Sequence, residues 1–209
     1  MKIALLGAES TGKTRLSHAL AERLRERGLR VAVVAEVLRE WCEREGRMPR
    51  PEEQLPIAQE QERRVDQAAA GAGIVIADTT ALMVAIHGAL LFPDHPLYRF
   101  AVERQRGYDL TLVMGLDLPW VADGLQRAGA HAREPVDALV RELLGREKIA
   151  YTVVYGQGAQ RACAALAAID ATAPGRGAAA PEHRPWQWSC AHCGDASCEH
   201  RLFTRFRQG

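Results

Sequence analysis

The segment from Gly7 to Thr14 constrains the fold of this chain more than any other. It reads G-x-x-x-x-G-K-T, directly after the strand-like run at 2–6, which is apolar from Ile3 to Leu6, and directly before an amphipathic stretch. A strand, a glycine-rich turn and a helix in that order bring backbone N–H groups around a phosphate at the positive end of the helix. We therefore expect an α/β fold with a phosphate-binding loop. The alternative is a plain glycine turn between a strand and a helix.

This segment, called the phosphate loop below, also predicts the ligands of a nucleotide. Lys13 is expected to reach the β- and γ-phosphates of ATP, and the Thr14 hydroxyl to ligate Mg²⁺. A carboxylate at the end of a neighbouring strand completes such a site, and Asp78 follows the apolar run at 74–77. The alternative role of Asp78 is to cap the next helix. The predicted ATP-binding residues are Gly7, Glu9, Ser10, Thr11, Gly12, Lys13 and Thr14.

Apolar strand-like runs alternate with amphipathic stretches up to about residue 170, which is typical of a parallel sheet covered by helices. The pattern predicts five strands, at 2–6, 30–35, 73–78, 109–114 and 149–154. It predicts helices at 14–27, 51–70, 79–91, 135–146 and 157–169. We expect a three-layer domain over residues 1–170, then a linker rich in Ala, Pro and Gly at 171–181, and a short appendage at 182–209.

Charge and composition exclude several classes of protein. The 27 Lys and Arg residues and 26 Asp and Glu residues give a net charge of +1, which argues against a dedicated nucleic-acid binder. No apolar run approaches the length of a membrane span, and the first one breaks at Gly7, too early for a secretory signal. A cytoplasmic protein is therefore expected.

Glu36 and Arg39 follow the second predicted strand. On a helical turn their side chains would face the same way, so that Glu36 could accept a proton from a hydroxyl while Arg39 holds an anion. The alternative is a surface ion pair.

The segment after the fourth predicted strand lacks regular periodicity. Arg127 and Arg133 suggest a lid that closes over the phosphates and neutralises the charge that develops during transfer. Trp120 offers a flat apolar surface for a planar ring, and the alternative role is a core aromatic.

Together these residues resemble the ribosylnicotinamide kinase domain of the NAD-biosynthesis regulator NadR, one of the P-loop kinases, over residues 1 to about 170. The matching elements are the phosphate loop, Glu36 with Arg39 and Glu40, Ile57 to Gln59 with Gln61, Asp78 with Thr79, and the run 119–125 with Arg127. The resemblance implies a five-stranded parallel sheet and an ATP-dependent kinase of the nicotinamide riboside 5′-hydroxyl. This chain differs from the family at Thr80, where the family tends to have an acid, and at Val37, where the family usually has an aromatic residue.

The same resemblance implies a role for each matching position. The implied catalytic residues are Lys13, Glu36 as the base, Asp78 as the metal-associated acid, and Arg127 and Arg133 as the lid. The implied substrate-binding residues are Glu36, Arg39, Gln59, Trp120 and Asp123. A kinase of another nucleoside is the first alternative, because the base and the lid arginines serve any 5′-hydroxyl. A nucleotide-dependent switch that recruits a partner through the appendage is the second.

The appendage carries C-x₂-C-x₄-C-x-H, formed by Cys190, Cys193, Cys198 and His200. Four such donors suit tetrahedral Zn²⁺, and a structural ion could replace the core that 28 residues cannot build. His192 is an alternative to His200, and a cysteine-rich tail without metal is the alternative to the site. We expect the aromatic residues of the appendage to dock on the kinase domain or on a second subunit.

Overall fold

The structure is a computed structural model that describes residues 1–89, 93–121 and 130–172. Five strands form one sheet in the order β2-β3-β1-β4-β5, and every neighbouring pair is parallel. The strands are β1 (Lys2–Leu6), β2 (Val31–Val34), β3 (Ile74–Asp78), β4 (Leu110–Met114) and β5 (Thr152–Val154). The predicted five-stranded parallel α/β fold is confirmed.

The central position of β1 explains its continuous apolar sequence. It pairs with β3 on one side and β4 on the other, and Ile3 to Leu6 are fully buried. A strand covered by helices on both faces has no solvent side, so alternation of polar and apolar residues is absent.

Helices cover both faces of the sheet. The described α-helices are α1 (Lys13–Glu26), α2 (Val37–Glu45), α3 (Pro51–Gly71), α4 (Ala81–His87), α5 (Pro96–Arg106), α6 (Arg133–Arg146) and α7 (Gly158–Thr172). Leucines of α1 and α7 pack on Ile3 and Leu5, whereas α2 to α6 pack around Leu6 and Val113. These two apolar clusters make the three predicted layers. None of the described helices has the length and apolar character needed to cross a membrane.

Most element boundaries lie within three residues of the sequence pattern, but two helices were not predicted and one helix is shorter than predicted. The pattern did not predict α2 or α5, although Pro96 in the first turn of α5 and His95 at its N-cap are start signals. The helix predicted at 79–91 is only Ala81–His87. The Thr80 hydroxyl accepts the N–H of Leu82 and so starts the helix two residues late.

Arg161 contacts three loops at the carboxyl edge of the sheet, namely the phosphate loop and the segments that follow β4 and β5. It is 3% exposed and donates to the backbone oxygens of Thr11 and Gly156, the second at 2.7 Å. It also pairs with Asp117, whose other carboxylate oxygen accepts the N–H of Gly156 at 2.6 Å. The phosphate loop is thereby tied to the segments that follow β4 and β5.

We expect Arg161→Met to lower the free energy of unfolding by about 3 kcal/mol, because it leaves Asp117 and several buried carbonyl oxygens without their donor. Denaturant titration measures this loss. Arg141→Met is the matched control, since Arg141 pairs with Asp137 on a single helix and is partly exposed. That variant should lose less than about 1 kcal/mol. Equal losses in the two variants would contradict the bracing role of Arg161.

Candidate active site

The phosphate loop leaves β1 at the carboxyl edge of the sheet and enters α1. Gly7 has φ 144°, and a Cβ there would lie 3.0 Å from Cβ of Met114, so β4 leaves no room for a side chain. Gly12 has φ 79° and forms the N-cap of α1. These two glycines allow the turn that carries the chain from the strand into the helix. Ser10 also has a positive φ, of 56°, and Glu9 is half-buried beside it.

Lys13 lies against this loop. Its Nζ donates to the backbone oxygens of Gly7 at 2.8 Å and Ala8 at 2.9 Å. Burial lowers the pKa of Lys13, whereas the carboxylates of Glu36 and Asp78 oppose that shift. A half-buried cation at the positive end of α1 makes this loop a strong anion site.

Asp78 ends β3 next to the loop, as β1 and β3 are neighbours. The Thr14 hydroxyl donates to Asp78 Oδ2 at 2.5 Å. Asp78 is 3% exposed, its Oδ1 has no hydrogen-bond partner among the described residues, and burial raises its pKa. A hydroxyl and a carboxylate with an unpaired oxygen suit Mg²⁺, which prefers oxygen ligands and keeps part of its water shell. The residues present therefore fit a magnesium ion bound with ATP.

Glu36 is held at the start of α2 by a residue of α3. The amide oxygen of Gln61 accepts the N–H of Val37 at 2.9 Å, and its nitrogen donates to the oxygen of Ala35 at 3.3 Å. Glu36 is 7% exposed and forms an ion pair with Arg39 at 3.3 Å. The charges of Glu36 and Arg39 both act on Asp78 and Lys13. The structure thus brings four predicted site residues into one charged cluster.

A cavity of about 460 Å³ adjoins this cluster. One wall is the phosphate loop from Ser10 to Thr14, with Arg15 and Arg39, and the other is formed by Leu118, Pro119, Val121 and Gln157. The N–H of Val121 donates to the Ser10 hydroxyl at 2.8 Å, so the segment after β4 lies over the phosphate loop. Trp120 belongs to this segment and is half-buried.

Several predicted site residues are not assembled with this cluster. Gln59 is exposed on α3, on a different face from Gln61. Arg133 begins α6, and its Nε and Nη2 are buried without a hydrogen-bond partner among the described residues. Asp123 and Arg127 lie outside the described residues. So do the predicted zinc ligands Cys190, Cys193, Cys198 and His200, with His192, and zinc binding by the appendage stays a prediction. The described part of the chain contains no group of three or more His, Cys, Asp or Glu residues that could hold a metal ion.

Sequence reasoning missed Asp117 and Arg161, which brace the phosphate loop. One signal was available, because Arg161 stands in an alanine-rich helix on the same face as the buried Ala165 and Ile169. A charged residue on an apolar helix face needs a buried partner. The partner itself is 44 residues earlier in the chain, and no local pattern identifies it.

The arrangement has the parts that phosphoryl transfer requires. A half-buried lysine and a helix N-terminus can bind negative charge, Thr14 with Asp78 can hold a metal ion, and Glu36 can accept a proton. All of them come from elements that meet at the carboxyl edge of one parallel sheet, where open α/β sheets bind their ligands.

The fold is similar to that of two solved NadR structures, one in complex with NR and one in complex with NAD and AMP-PNP. Their TM-scores are 0.68 and 0.64 at 21% and 20% sequence identity, and both matches cover 82% of this chain. The chain spans about half the length of these NadR chains, 51% and 49%. The resemblance predicted from the sequence is confirmed at the level of the fold.

Two smaller proteins share the fold over their whole length. Thymidylate kinase from Ehrlichia chaffeensis has a TM-score of 0.55 at 16% identity, with 83% of this chain and 98% of that chain covered. Deoxyadenosine kinase from M. mycoides has a TM-score of 0.56 at 14% identity, with 82% and 100% covered. No curated protein matches the sequence.

A family model described as an AAA domain matches residues 2–161, which include the phosphate loop, Glu36, Asp78 and Arg161. The match covers well over half of the 209 residues and all five strands. The chain belongs to the AAA domain family.

Proposed function

We propose that this protein is an ATP-dependent kinase that phosphorylates the 5′-hydroxyl of nicotinamide riboside. The observation that carries the proposal is the cluster of Lys13, Asp78, Glu36 and Arg39 beside a cavity lined by the phosphate loop. The fold likeness to a NadR structure solved with NR supports the choice of acceptor. The segment 119–125 with Arg127, on which the sequence resemblance depends most, supports it independently.

In this proposal Glu36 is the general base. Its carboxylate accepts the proton of the acceptor hydroxyl as that oxygen forms a bond to the γ-phosphorus of ATP and the bond from the γ-phosphorus to the bridging oxygen breaks. ADP leaves with the electron pair of the broken bond. Gln61 keeps Glu36 at the start of α2, because it bonds the backbone on both sides of that residue.

Lys13 and the N–H groups of the phosphate loop offset the negative charge of the transferring group. When bound at Thr14 and Asp78, Mg²⁺ supplies further charge neutralisation and helps to align the phosphates. Arg39 lines the cavity and is placed to hold an anionic oxygen. Arg127 and Arg133 are proposed to close over the phosphates, and Trp120 and Asp123 to contact the acceptor.

Phosphorylation of another nucleoside is the second candidate. The likeness to deoxyadenosine kinase, which covers 100% of that chain, favours it. A partner-recruiting switch would depend on residues 182–209, which lie outside the described residues.

Lys13→Ala is expected to reduce ATP turnover at least tenfold, because a lost phosphate contact costs more than about 1.4 kcal/mol in the transition state. Lys148→Ala is the matched control, since Lys148 is exposed just before β5, at the opposite edge of the sheet. Coupled-enzyme assay of ADP release measures both variants. Turnover of Lys13→Ala above a tenth of the wild-type value would remove the basis for this site.

Glu36→Gln is expected to lower kcat about 100-fold while the Kd of ATP changes less than about twofold, because the amide keeps the shape of the side chain but cannot take a proton. Glu40→Gln, one turn further along α2 in an ion pair with Arg64, should keep kcat. Steady-state kinetics and nucleotide titration separate the two effects. Parallel loss of kcat and ATP affinity would assign Glu36 to metal binding or to structure instead.

A panel of nucleosides tests the acceptor. We expect phosphorylated product from nicotinamide riboside, and a raised KM for it in Trp120→Ala because the variant lacks a ring on which the acceptor stacks. Product identification by mass spectrometry checks both outcomes. Product from a purine or pyrimidine nucleoside but none from nicotinamide riboside would replace the first candidate by the second.

A further inference from the structure

Thr79, directly after Asp78, has a backbone conformation that β-branched residues avoid. Its φ is 88°, in the left-handed region, where a branched Cβ crowds the residue's own backbone. The other described non-glycine residues with positive φ are Ser10, Ala89 and Lys148, which are not branched at Cβ and have φ between 53° and 56°. Among the described residues, Thr79 therefore has the least favourable combination of side chain and backbone.

The Thr79 hydroxyl adds a second cost. The residue is 2% exposed, and Oγ1 has no hydrogen-bond partner among the described residues. A buried hydroxyl without a partner is unfavourable, because the hydrogen bonds that it makes to water in the unfolded chain are not replaced. Asp78 Oδ1, one residue earlier, is buried and without a hydrogen bond in the same way. Two adjacent residues thus each bury an unpaired oxygen at the carboxyl edge of β3.

The residues on both sides of Thr79 keep it in this conformation. Its own N–H donates to the oxygen of Leu5 in β1 at 3.2 Å. The next hydroxyl, of Thr80, donates to Gln105 at 2.7 Å and accepts the N–H of Leu82, and the N–H of Ala81 donates to Glu62 at 3.0 Å. Such anchoring is what allows a strained residue to persist, and strained residues concentrate at functional sites.

A purely structural turn at this position would be made more favourably by glycine, which adopts φ near 88° without a steric cost. What threonine adds is the hydroxyl, which can both donate and accept a hydrogen bond. The neighbouring Asp78 already meets the requirements of a magnesium site together with Thr14, and Mg²⁺ keeps several of its waters when it is bound in proteins. A metal-bound water is therefore a group that could pair both buried oxygens.

We propose that Thr79 is a positioning residue of the magnesium–nucleotide site, whose strained backbone holds its hydroxyl, with Oδ1 of Asp78, to hydrogen-bond the water shell of the ion. The inference rests on the ATP site of the proposed function but not on the identity of the acceptor. It also accounts for both unfavourable features of Thr79 by one requirement, the placement of a hydroxyl beside the metal.

The test compares Thr79→Gly, Thr79→Val and Thr79→Ser in the full chain, by two measurements. The first is the melting temperature without nucleotide. We expect Thr79→Gly to melt no lower than wild type, because relief of the strain and of the unpaired hydroxyl offsets the cavity and the greater freedom of glycine in the unfolded chain. Thr79→Val should melt no lower than wild type, because it keeps the shape and loses only the unpaired hydroxyl.

The second measurement is the gain in affinity for a non-hydrolysable ATP analogue when Mg²⁺ is added, by calorimetric titration. In Thr79→Val and Thr79→Gly the Mg²⁺-dependent gain in affinity should be about tenfold smaller than in wild type, which corresponds to one lost hydrogen bond in the ion's shell. Their affinity for the analogue without Mg²⁺ should stay within about twofold of wild type. Thr79→Ser, which retains a hydroxyl at this position, should show the same gain as wild type.

Thr80→Val is the matched control, because its hydroxyl is paired within the protein. It should lower the melting temperature and leave the Mg²⁺-dependent gain unchanged. Full retention of the gain in Thr79→Val, or a melting temperature of Thr79→Gly below that of wild type, would overturn the inference. Loss of the gain in a protein that phosphorylates no nucleoside would support the inference and overturn the proposed kinase function, so the two failures are distinguishable.

Discussion

Parallel pairing of β1 with β3 and β4 is the constraint on which the rest of this structure depends. The register sets Leu5 opposite Asp78 and Leu6 opposite Val113, so the three strands end at one edge. That alignment brings the phosphate loop next to Asp78 and the segment after β4 over the loop. Because the strands are covered on both faces, only this edge is open to a ligand of the charged cluster.

The charges at that edge are stabilised mainly by one another. Burial lowers the pKa of Lys13 and raises that of Asp78, which means that the interior disfavours both charges. Each group partly offsets the cost of the other, and the hydroxyl of Thr14 and the carbonyl oxygens of Gly7 and Ala8 add hydrogen bonds. Arg161 and Asp117 likewise offset each other's charge in an ion pair beside the loop. Lys13, Thr14 and Arg161 thus have direct partners at this edge, whereas Asp78 Oδ1 and Thr79 Oγ1 are buried without a hydrogen-bond partner among the described residues.

Much of the fold follows from local sequence because a buried parallel strand must be apolar throughout. β1 was predicted with its observed ends, and β3 and β4 within one residue at the amino end. The helices α2 and α5 were not predicted, although both are amphipathic, because they are only 9 and 11 residues long and their packing against α3 and α4 is not encoded locally. The helix predicted at 79–91 begins two residues later than predicted, because the Thr80 cap depends on Gln105, which is distant in sequence.

The sequence by itself determined the phosphate loop, since spacing between Gly7, Gly12, Lys13 and Thr14 encodes a local backbone shape that needs no distant residue. It also determined the strand before the loop, for which the four apolar residues from Ile3 to Leu6 sufficed. Only the tertiary structure decided which distant residues complete the site. The contacts of Gln61 beside Glu36, of Arg161 with Thr11, and of Thr14 with Asp78 span 24 to 150 residues. Such contacts arise from strand order and packing, which no single segment of the chain contains. The strained backbone of Thr79 has the same origin, because distant residues anchor the chain on both sides of it.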